Sequence, residues 1–365
     1  MKSFVLRRTG ALFGILAVTA FAAACGDSST GPGGTFDPEA TRQDIETLTS
    51  AVETDEILAG LGLIGRSLGR QLGSPSIVSA GMQIAPTVDH LRGFALQGGG
   101  SAAPIFPSNL LGVTFVYDEM TGDYVASSRT GAPSNGVRFI YYAMNPVTGQ
   151  PVLPLVELGY VDLIDLSSPS STRLQVLLVD TSGATPATLV DYFVDGSFTL
   201  NGTTLSVTLV ADGFISDGTD QVDFVFSQAG SFTEGASTFD LTVDYDVAVP
   251  TRNVSLAMTG SAAFPVDGDE PGSADFIVSI SDGENTAVLS VEYADGNFDG
   301  TITYNGTVVI VFSGSEDSVT FSRPDGTELS EEEIRALEEI IEVADELFDF
   351  AEDILSPMQE VFGSS

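Results

Sequence analysis

A long stretch of alternating polar and apolar residues, from 113 to 323, most constrains what this chain can fold into. Its clearest part is residues 239–249, where Phe, Leu, Val, Tyr, Val and Val alternate with Asp, Thr, Asp, Asp and Ala. A period of two is typical of a strand with one buried face and one solvated face. Shorter runs with the same period lie at 174–178, 205–209, 222–226, 276–280 and 287–293. The pattern predicts a mainly β fold.

Short turns separate these predicted strands. Asn201-Gly202 and Asn305-Gly306 are the strongest hairpin signals, because both central residues of a type I′ turn need a positive φ. No helical crossover lies between the runs, so consecutive strands are expected to pair antiparallel. We therefore predict a long, curved antiparallel meander sheet over residues 108–328.

The last segment of the chain, residues 329–363, has helical periodicity instead. Ser330 and Glu333 form an S-x-x-E capping box, which indicates the start of a helix. One apolar stripe follows at helical spacing: Ile334, Leu337, Ile341, Ala344, Phe348, Ala351 and Leu355. A stripe of this length needs an apolar partner, so we predict a C-terminal amphipathic helix that packs on the buried face of the sheet.

A smaller segment before the sheet, residues 37–107, combines helical and irregular patterns. Asp37 offers an N-cap with Pro38 at the first helical position. Apolar residues continue at helical spacing to Leu72, whereas residues 73–107 are rich in Gly, Ser, Ala and Pro. We predict a small helical N-terminal segment followed by an irregular connection to the sheet.

The chain begins with a pattern typical of protein export. Lys2, Arg7 and Arg8 precede an apolar stretch that ends in three alanines before Cys25. The residues FAAAC resemble the lipobox of bacterial lipoproteins. This resemblance implies that residues 1–24 are removed as a signal peptide and that Cys25 is lipidated, which provides a membrane anchor. An ordinary signal peptide beside an isolated Cys is the alternative, and Cys25 is the only Cys in the chain.

Residues 25–36 follow as a run composed mostly of Gly, Ser, Thr and Pro, which cannot bury a core. This composition predicts a flexible tether. Gly26 rather than Asp follows the Cys, which by the sorting rule of bacterial lipoproteins implies the outer membrane. We therefore expect a lipid-anchored protein of the bacterial envelope, on the periplasmic face or the cell surface.

The charge balance excludes several functions. Lys and Arg total 13, whereas Asp and Glu total 51, so the formal net charge is −38. Such a surface repels nucleic acid and anionic lipid headgroups. The only Lys is Lys2, so the predicted mature chain offers no Lys for a P-loop, a Schiff base or a general base. Hydrophobic residues still make up 43% of the chain, which is enough for a folded core.

No catalytic motif in the sequence is supported by its context. Residues 65–69, GRSLG, fit the nucleophile-elbow pattern, which needs a strand before Ser67 and a His late in the chain. Ser67 lies instead in a helical pattern, and the single His, His90, follows closely in an irregular stretch. A single His and no free Cys also exclude the usual transition-metal sites. We expect no catalytic residue, and paired carboxylates leave a glycan hydrolase as an open alternative.

The acidic turn DGNFDG is the best candidate for a metal site. It matches the first half of a calcium-binding loop, in which oxygen ligands alternate and Gly permits a sharp turn. The candidate ligands are the side chains of Asp295, Asn297 and Asp299 and the main-chain carbonyl of Thr301. Gly306 occupies the twelfth position, where an EF-hand needs a bidentate Glu, so an EF-hand is excluded. An ordinary hairpin turn rich in Asp and Gly is the alternative.

An aromatic group near the start of the predicted sheet allows two interpretations. Its members are Tyr117, Tyr124, Phe139, Tyr141 and Tyr142. Such a group either stacks on sugars or apolar ligands, or forms cross-strand packing inside the core. Cross-strand packing is the favoured interpretation.

In outline, a curved meander covered by helices resembles the lipoprotein carriers and receptors that hold acyl chains in a half-barrel. This resemblance implies a non-enzymatic envelope lipoprotein that binds a hydrophobic ligand or another envelope component. A structural or adhesive surface lipoprotein with weak calcium sites is the first alternative, and a glycan hydrolase is the second. A hollow between the sheet and the terminal helix would favour ligand binding, whereas a filled core would favour the structural function.

The lipobox resemblance makes a direct prediction about Cys25. In a bacterium that processes lipoproteins, Cys25→Ser should move the protein from the membrane fraction to the soluble fraction, because no acyl chain can be attached. Fractionation followed by immunoblotting measures this change. A Cys25→Ser chain that stays with the membrane as firmly as the wild type would place the anchor elsewhere.

Overall fold

The computed structural model describes residues 36–52, 55–72, 104–145, 148–168, 171–265, 272–315 and 318–362. Within these ranges the chain forms three helices, α1 (Pro38–Val52), α2 (Asp55–Leu72) and α3 (Glu331–Phe362). The strands are β1 Thr114–Asp118, β2 Asp123–Ser127, β3 Gly136–Tyr142, β4 Met144–Asn145, β5 Gln150–Pro151, β6 Glu157–Asp165, β7 Thr172–Asp180, β8 Ala187–Asn201, β9 Thr204–Ser216, β10 Gln221–Thr233, β11 Thr238–Val249, β12 Val254–Pro265, β13 Ser273–Ser281, β14 Thr286–Ala294, β15 Asn297–Tyr304, β16 Thr307–Ser315 and β17 Ser318–Ser322. The fold is mainly β, as predicted.

The strands follow one another in the order of the chain over most of the sheet. Among the described residues, fifteen strands form one sheet, in which β6 to β17 are neighbours in sequence order and β3, β1 and β2 follow beyond β6. The strands β4 and β5 form a separate antiparallel pair. One ladder departs from the predicted antiparallel pattern, because β1 pairs with β3 in parallel. Between them in the chain lies β2, which runs antiparallel to β1. The chain then reverses again, so β3 lies beside β1 and runs in the same direction.

Alternation along each strand decides which side chains are buried. In β11, Val243, Tyr245 and Val247 are buried, while Asp244 and Asp246 between them are exposed. The same two-faced pattern holds in β13 and β14. Successive side chains of a strand point to opposite faces, so the sheet has one apolar face and one polar face.

Of the two hairpin turns predicted as type I′, one has this geometry and the other does not. Asn305 and Gly306 are the two central residues between β15 and β16, with φ angles of 49° and 79°. Between β8 and β9, however, Asn201 pairs with Thr204, so Gly202 and Thr203 are the central residues. The prediction that Asn201 is a central turn residue is therefore wrong by one position. Only Gly202 has a positive φ there, as a type II′ turn requires.

Contacts between residues divide the chain into two compact units. Of the described residues, unit 1 contains 36–52 and Gln228–Asp349, and unit 2 contains 55–72, 104–227 and 350–362. The division falls inside β10 and inside α3.

In unit 2, the last turns of α3 cover the apolar face of the strands. The ring of Phe350 packs edge-on against Phe224 and Phe226, with centroid distances of 5.7 and 5.6 Å. The hydroxyl of Tyr192, itself fully buried, donates a hydrogen bond to the main-chain carbonyl of Ile354 at 3.2 Å. Apolar contact and a satisfied buried hydroxyl thus hold the helix end on the strands.

In unit 1, two helices cover the apolar face. The ring of Phe348 on α3 contacts Tyr245 and Phe276 at centroid distances of 5.7 and 6.3 Å. On α1, Ile45 and Leu48 are buried. The predicted packing of the C-terminal amphipathic helix on the sheet is confirmed.

Both predicted helix starts have the expected caps. The main-chain NH of Ala40 donates to Asp37 at 3.1 Å, and Pro38 is the first helical residue of α1. At α3, the main-chain NH of Ser330 donates to Glu333, and the NH of Glu333 donates back to the Ser330 hydroxyl. These bonds satisfy donors that the first turn of a helix leaves unpaired.

The packing of Phe350 predicts a large loss of stability in Phe350→Ala. Removing a buried Phe ring from an aromatic cluster should lower the free energy of unfolding by about 3 kcal/mol, since a cavity remains. Chemical denaturation measures this change. Val225→Ala, on the opposite face of β10 where the side chain is 46% exposed, is the control and should change stability by less than about 0.5 kcal/mol. Equal effects of the two variants would contradict the packing.

Candidate functional site

The polar face of the unit 1 strands is a surface that the described helices leave open. Along β11–β17 this face presents mostly Ser, Thr, Asp and Glu side chains. No Lys or Arg occurs in these seven strands, and the only basic residue between β11 and β17 is Arg252 in a turn. The face therefore carries negative charge without basic residues of its own strands to balance it.

Three carboxylates lie side by side across neighbouring strands of this face. Asp275 on β13 pairs with Glu292 on β14, and Glu292 pairs with Asp299 on β15. All three side chains are exposed, and within the described ranges none has a hydrogen-bond or ion-pair partner. We call these residues the acidic row. Directly opposite like charges destabilise a sheet, so this arrangement costs stability unless cations approach.

In unit 2, three carboxylates of the polar face have hydrogen-bond or ion-pair partners. Arg138 on β3 donates two hydrogen bonds of 2.7 Å to the directly opposite Asp162 on β6. Arg173 on β7 forms an ion pair with the opposite Asp195 at 3.3 Å. Gln175 donates a hydrogen bond to Asp191 at 2.7 Å. These three carboxylates of unit 2 thus have donors, which the acidic row lacks.

The two arginines of unit 2 share one more feature. The guanidinium of Arg138 lies 3.5 Å from the ring centroid of Tyr160, and that of Arg173 lies 4.4 Å from the centroid of Phe193. In each case the aromatic residue lies two positions before the paired Asp on the same strand. Cation–π contact and ion pairing therefore hold each arginine in place.

A shallow hollow of about 460 Å³ lies beside the acidic row in unit 1. Its lining comes from four strands, β14 to β17. The lining residues are Ser290, Glu292, Asp299, Gly300, Thr301, Val311, Phe312, Ser313, Thr320 and Ser322. Two carboxylates and five hydroxyls line it, so it can offer oxygen ligands to cations and acceptors to hydrogen-bond donors.

The structure distributes the predicted calcium ligands over a turn and a strand. Asp295 and Gly296 are the central residues of the β14–β15 turn, with φ angles of 52° and 78°. Asn297, Asp299 and Thr301 lie on β15, on the polar face. Residues two apart on a strand are separated by about 6.6 Å, so these side chains do not wrap around one point as in a calcium loop. Calcium binding at this segment stays a prediction.

Asp299 has a closer carboxylate neighbour across the ladder than along its own strand. Directly opposite residues have Cβ atoms about 4.5–5.5 Å apart, which lets two carboxylates reach one Ca²⁺ at about 2.3–2.6 Å. Within the described residues, no three His, Cys, Asp or Glu side chains gather tightly enough to hold a metal ion. The row therefore offers two carboxylates at any one point. Sequence reasoning missed Asp275 and Glu292 because they become neighbours of Asp299 only through strand register.

The GRSLG motif lies wholly inside α2, in unit 2. Ser67 is fully buried, and its hydroxyl donates a hydrogen bond of 2.7 Å to Asp123 on β2. Arg70 donates to the same carboxylate oxygen at 2.8 Å. This arrangement attaches α2 to β2, and a buried hydroxyl engaged in this way is not presented to a substrate. His90 lies outside the described residues.

The aromatic group of unit 2 forms core packing, the interpretation that the sequence favoured. Phe139 stacks on Phe115 at 4.8 Å and meets Tyr124 edge-on at 5.1 Å. The hydroxyls of Tyr124 and Tyr141 donate to main-chain carbonyls of Ile140 and Glu56. Burial raises the pKa of both tyrosines. Both side chains are buried and their hydroxyls are paired inside the protein, whereas Tyr117 of the same group is half-buried.

The predicted lipidation site, Cys25, also lies outside the described residues. Within the described ranges, no helix combines the length and the apolar character that crossing a membrane requires. Comparisons with protein-family models, with curated proteins and with solved structures found no match to this chain.

A second acidic group in unit 1 surrounds the turn between β13 and β14. The carboxylate of Asp282 accepts hydrogen bonds from the main-chain NH groups of Glu284 and Asn285, which lower its pKa. Asp44 on α1 faces this turn, and burial followed by repulsion from Asp282 raises the pKa of Asp44 to about 6. Asp44 has no hydrogen-bond partner among the described residues. It is an ionised group that its surroundings do not stabilise at neutral pH.

The raised pKa of Asp44 predicts a pH-dependent stability. Because its folded pKa lies above the unfolded value, its contribution is fully present below about pH 4 and is lost as pH rises through about 6. Asp44→Asn should therefore be more stable than the wild type at pH 8, by about 1 kcal/mol after allowance for solvent screening. The gain should shrink as pH falls below 6.

Denaturation at several pH values measures this difference. Asp240→Asn, on the exposed face of β11, removes the same charge and controls for overall repulsion. A gap between Asp44→Asn and wild type that is the same at pH 5 and pH 8 would contradict the assignment of the shift to Asp44.

Proposed function

We propose that this protein is a non-enzymatic, lipid-anchored component of the bacterial envelope with a structural or adhesive role. The observation that carries the proposal is that the chain's own helices occupy the apolar faces of both units. The open surface of unit 1 is then the polar face with its acidic row. A partner that binds there is another component of the envelope, and the lipid on Cys25 keeps the protein near it.

Filling of the apolar faces argues for this function over binding of a hydrophobic ligand. In unit 2, Phe350 lies against Phe224 and Phe226 on the face where an acyl chain would have to enter. In unit 1, Phe348 contacts Tyr245 and Phe276 in the same way. A hydrophobic ligand would have to displace α3, which forfeits these contacts.

Calcium is the cation that the acidic row suits best among those available outside a cell. Carboxylate and hydroxyl oxygens are hard ligands, which favour Ca²⁺ over transition metals. With two carboxylates at any one point, binding should be weak, with a dissociation constant of about 10⁻⁴ to 10⁻³ M, as in extracellular modules. A bound cation would relieve the repulsion between strands and would also bridge to anionic groups of a partner.

The glycan-hydrolase alternative receives no specific support from this geometry. Glu292 and Asp299 are close enough to form a carboxylate pair, but both are exposed on an open face. Glycosidases hold their acid in a site that raises its pKa and bind the sugar in a cleft. The hollow beside the row is shallow, and its one aromatic residue, Phe312, is buried.

Calcium should stabilise the protein through the acidic row. At ten times the dissociation constant, stability should rise by about 1.4 kcal/mol, measured by calorimetric melting at fixed ionic strength. The triple variant Asp275→Asn, Glu292→Gln, Asp299→Asn should lose this rise. The matched control, Asp240→Asn, Asp244→Asn, Asp246→Asn, removes three exposed charges that lie opposite uncharged residues and should keep it.

Three results would count against the proposal. An equal rise in stability with magnesium in place of calcium would indicate diffuse charge neutralisation. If calcium still stabilises the triple variant but no longer stabilises Asp295→Ala, the calcium site lies in the β14–β15 turn. Stoichiometric lipid that copurifies with the Cys25→Ser chain would favour the hydrophobic-ligand function instead.

A further inference from the structure

Three Asn-Gly pairs occur in the chain, and the structure gives them different environments. They are Asn135-Gly136, Asn201-Gly202 and Asn305-Gly306, and the last two share the tripeptide Asn-Gly-Thr. In an Asn-Gly pair the main-chain nitrogen of Gly can attack the Asn side-chain carbonyl carbon, because Gly has no side chain to hinder the approach. From the sequence alone, the three asparagines are therefore expected to be equally open to this attack.

The side chain of Asn305 is held by two hydrogen bonds in unit 1. Its Oδ1 accepts from the main-chain NH of Thr286 at 2.9 Å, and its Nδ2 donates to Oδ1 of Asn285 at 3.0 Å. Its main-chain NH also donates to the carbonyl of Thr286 at 2.9 Å. Attack on the Asn305 side chain therefore requires breaking both side-chain bonds first.

Asn135 is held in unit 2, and its attacking group is engaged as well. Its Nδ2 donates to the carbonyl of Asp165 at 2.8 Å. The NH of Gly136 donates to the carbonyl of Pro133 at 3.2 Å. Gly136 is buried against β6, where an added Cβ would lie only 2.1 Å from the carbonyl oxygen of Leu163. The main chain there cannot rotate without opening the ladder.

Asn201 has none of these restraints. It is exposed at the end of β8, and within the described residues its side chain has no hydrogen-bond partner. Gly202 is exposed with a φ of 63°, and nothing lies within 4 Å of the place where its Cβ would be. The tip of an exposed hairpin opens at low cost, which allows the rotation that brings the two reacting atoms together.

We propose that Asn201 is a site of spontaneous deamidation in the folded protein, whereas Asn305 and Asn135 are protected. The nitrogen of Gly202 forms a bond to Cγ of Asn201, and ammonia leaves with the side-chain nitrogen. Water then opens the cyclic imide at either carbonyl. The product is Asp or isoaspartate. Either one adds one negative charge to the β8–β9 turn, and isoaspartate also adds one carbon to its main chain. No enzyme, oxidant or cofactor takes part.

Peptide mapping by mass spectrometry tests this site on the full chain after incubation in mildly alkaline buffer. Asn201 should convert at least about tenfold faster than Asn305, since two side-chain hydrogen bonds protect Asn305. In denaturant, all three Asn-Gly pairs should convert at similar rates, because the protection belongs to the fold. Equal rates for Asn201 and Asn305 in the folded chain would overturn the proposal.

Two variants separate protection by hydrogen bonds from other causes. Asn285→Ala removes the acceptor for Asn305 Nδ2 and should raise the rate at Asn305 severalfold, with the rate at Asn201 unchanged. Asn201→Ser should abolish conversion in that peptide. An Asn285→Ala chain that remains folded, by its melting curve, without faster conversion at Asn305 would contradict the proposed cause. If that variant does not fold, the comparison of folded and denatured wild type still decides.

Discussion

The burial of the apolar sheet face against the chain's own helices is the interaction on which the rest of this structure depends. A strand of alternating residues cannot bury one face alone, so each unit needs a covering layer. α3 supplies it twice, through Phe348 in unit 1 and through Phe350 in unit 2. Once those faces are filled, the chemistry open to a partner is that of the polar face, and the proposed function follows from this division.

The polar faces of the two units differ in whether basic residues balance their cross-strand carboxylates. Unit 2 places an arginine directly opposite a cross-strand carboxylate, as in Arg138 with Asp162. Unit 1 has no basic residue in β11–β17 and still places Asp275, Glu292 and Asp299 side by side. Repulsion between opposed carboxylates is a cost in stability that a cation from solution can offset. Because both units belong to the same acidic chain, the overall excess of Asp and Glu does not by itself account for the acidic row.

Much of the fold could be predicted, because its signals are local. Alternation in β11 and the capping box of Ser330 and Glu333 each depend on neighbours in sequence, and both predictions are confirmed. The β8–β9 turn was predicted one residue away from its actual centre, since strand register, and not the Asn-Gly pair alone, selects the central residues. The parallel pairing of β1 with β3 was missed, because no local signal specifies which strand a chain returns to.

For this protein the sequence by itself determined the secondary structure, the amphipathic faces and the unbalanced negative charge, all of which arise from residue types and their spacing. Only the tertiary structure decided which carboxylates become neighbours. It brought Glu292 opposite Asp299, where the sequence pattern had grouped Asp299 with Asp295 and Asn297. It also gave different hydrogen bonding to Asn201 and Asn305, although each begins a copy of the same tripeptide, Asn-Gly-Thr. The physical reason is the same in both cases: hydrogen bonding between strands sets distances that spacing along one strand does not contain.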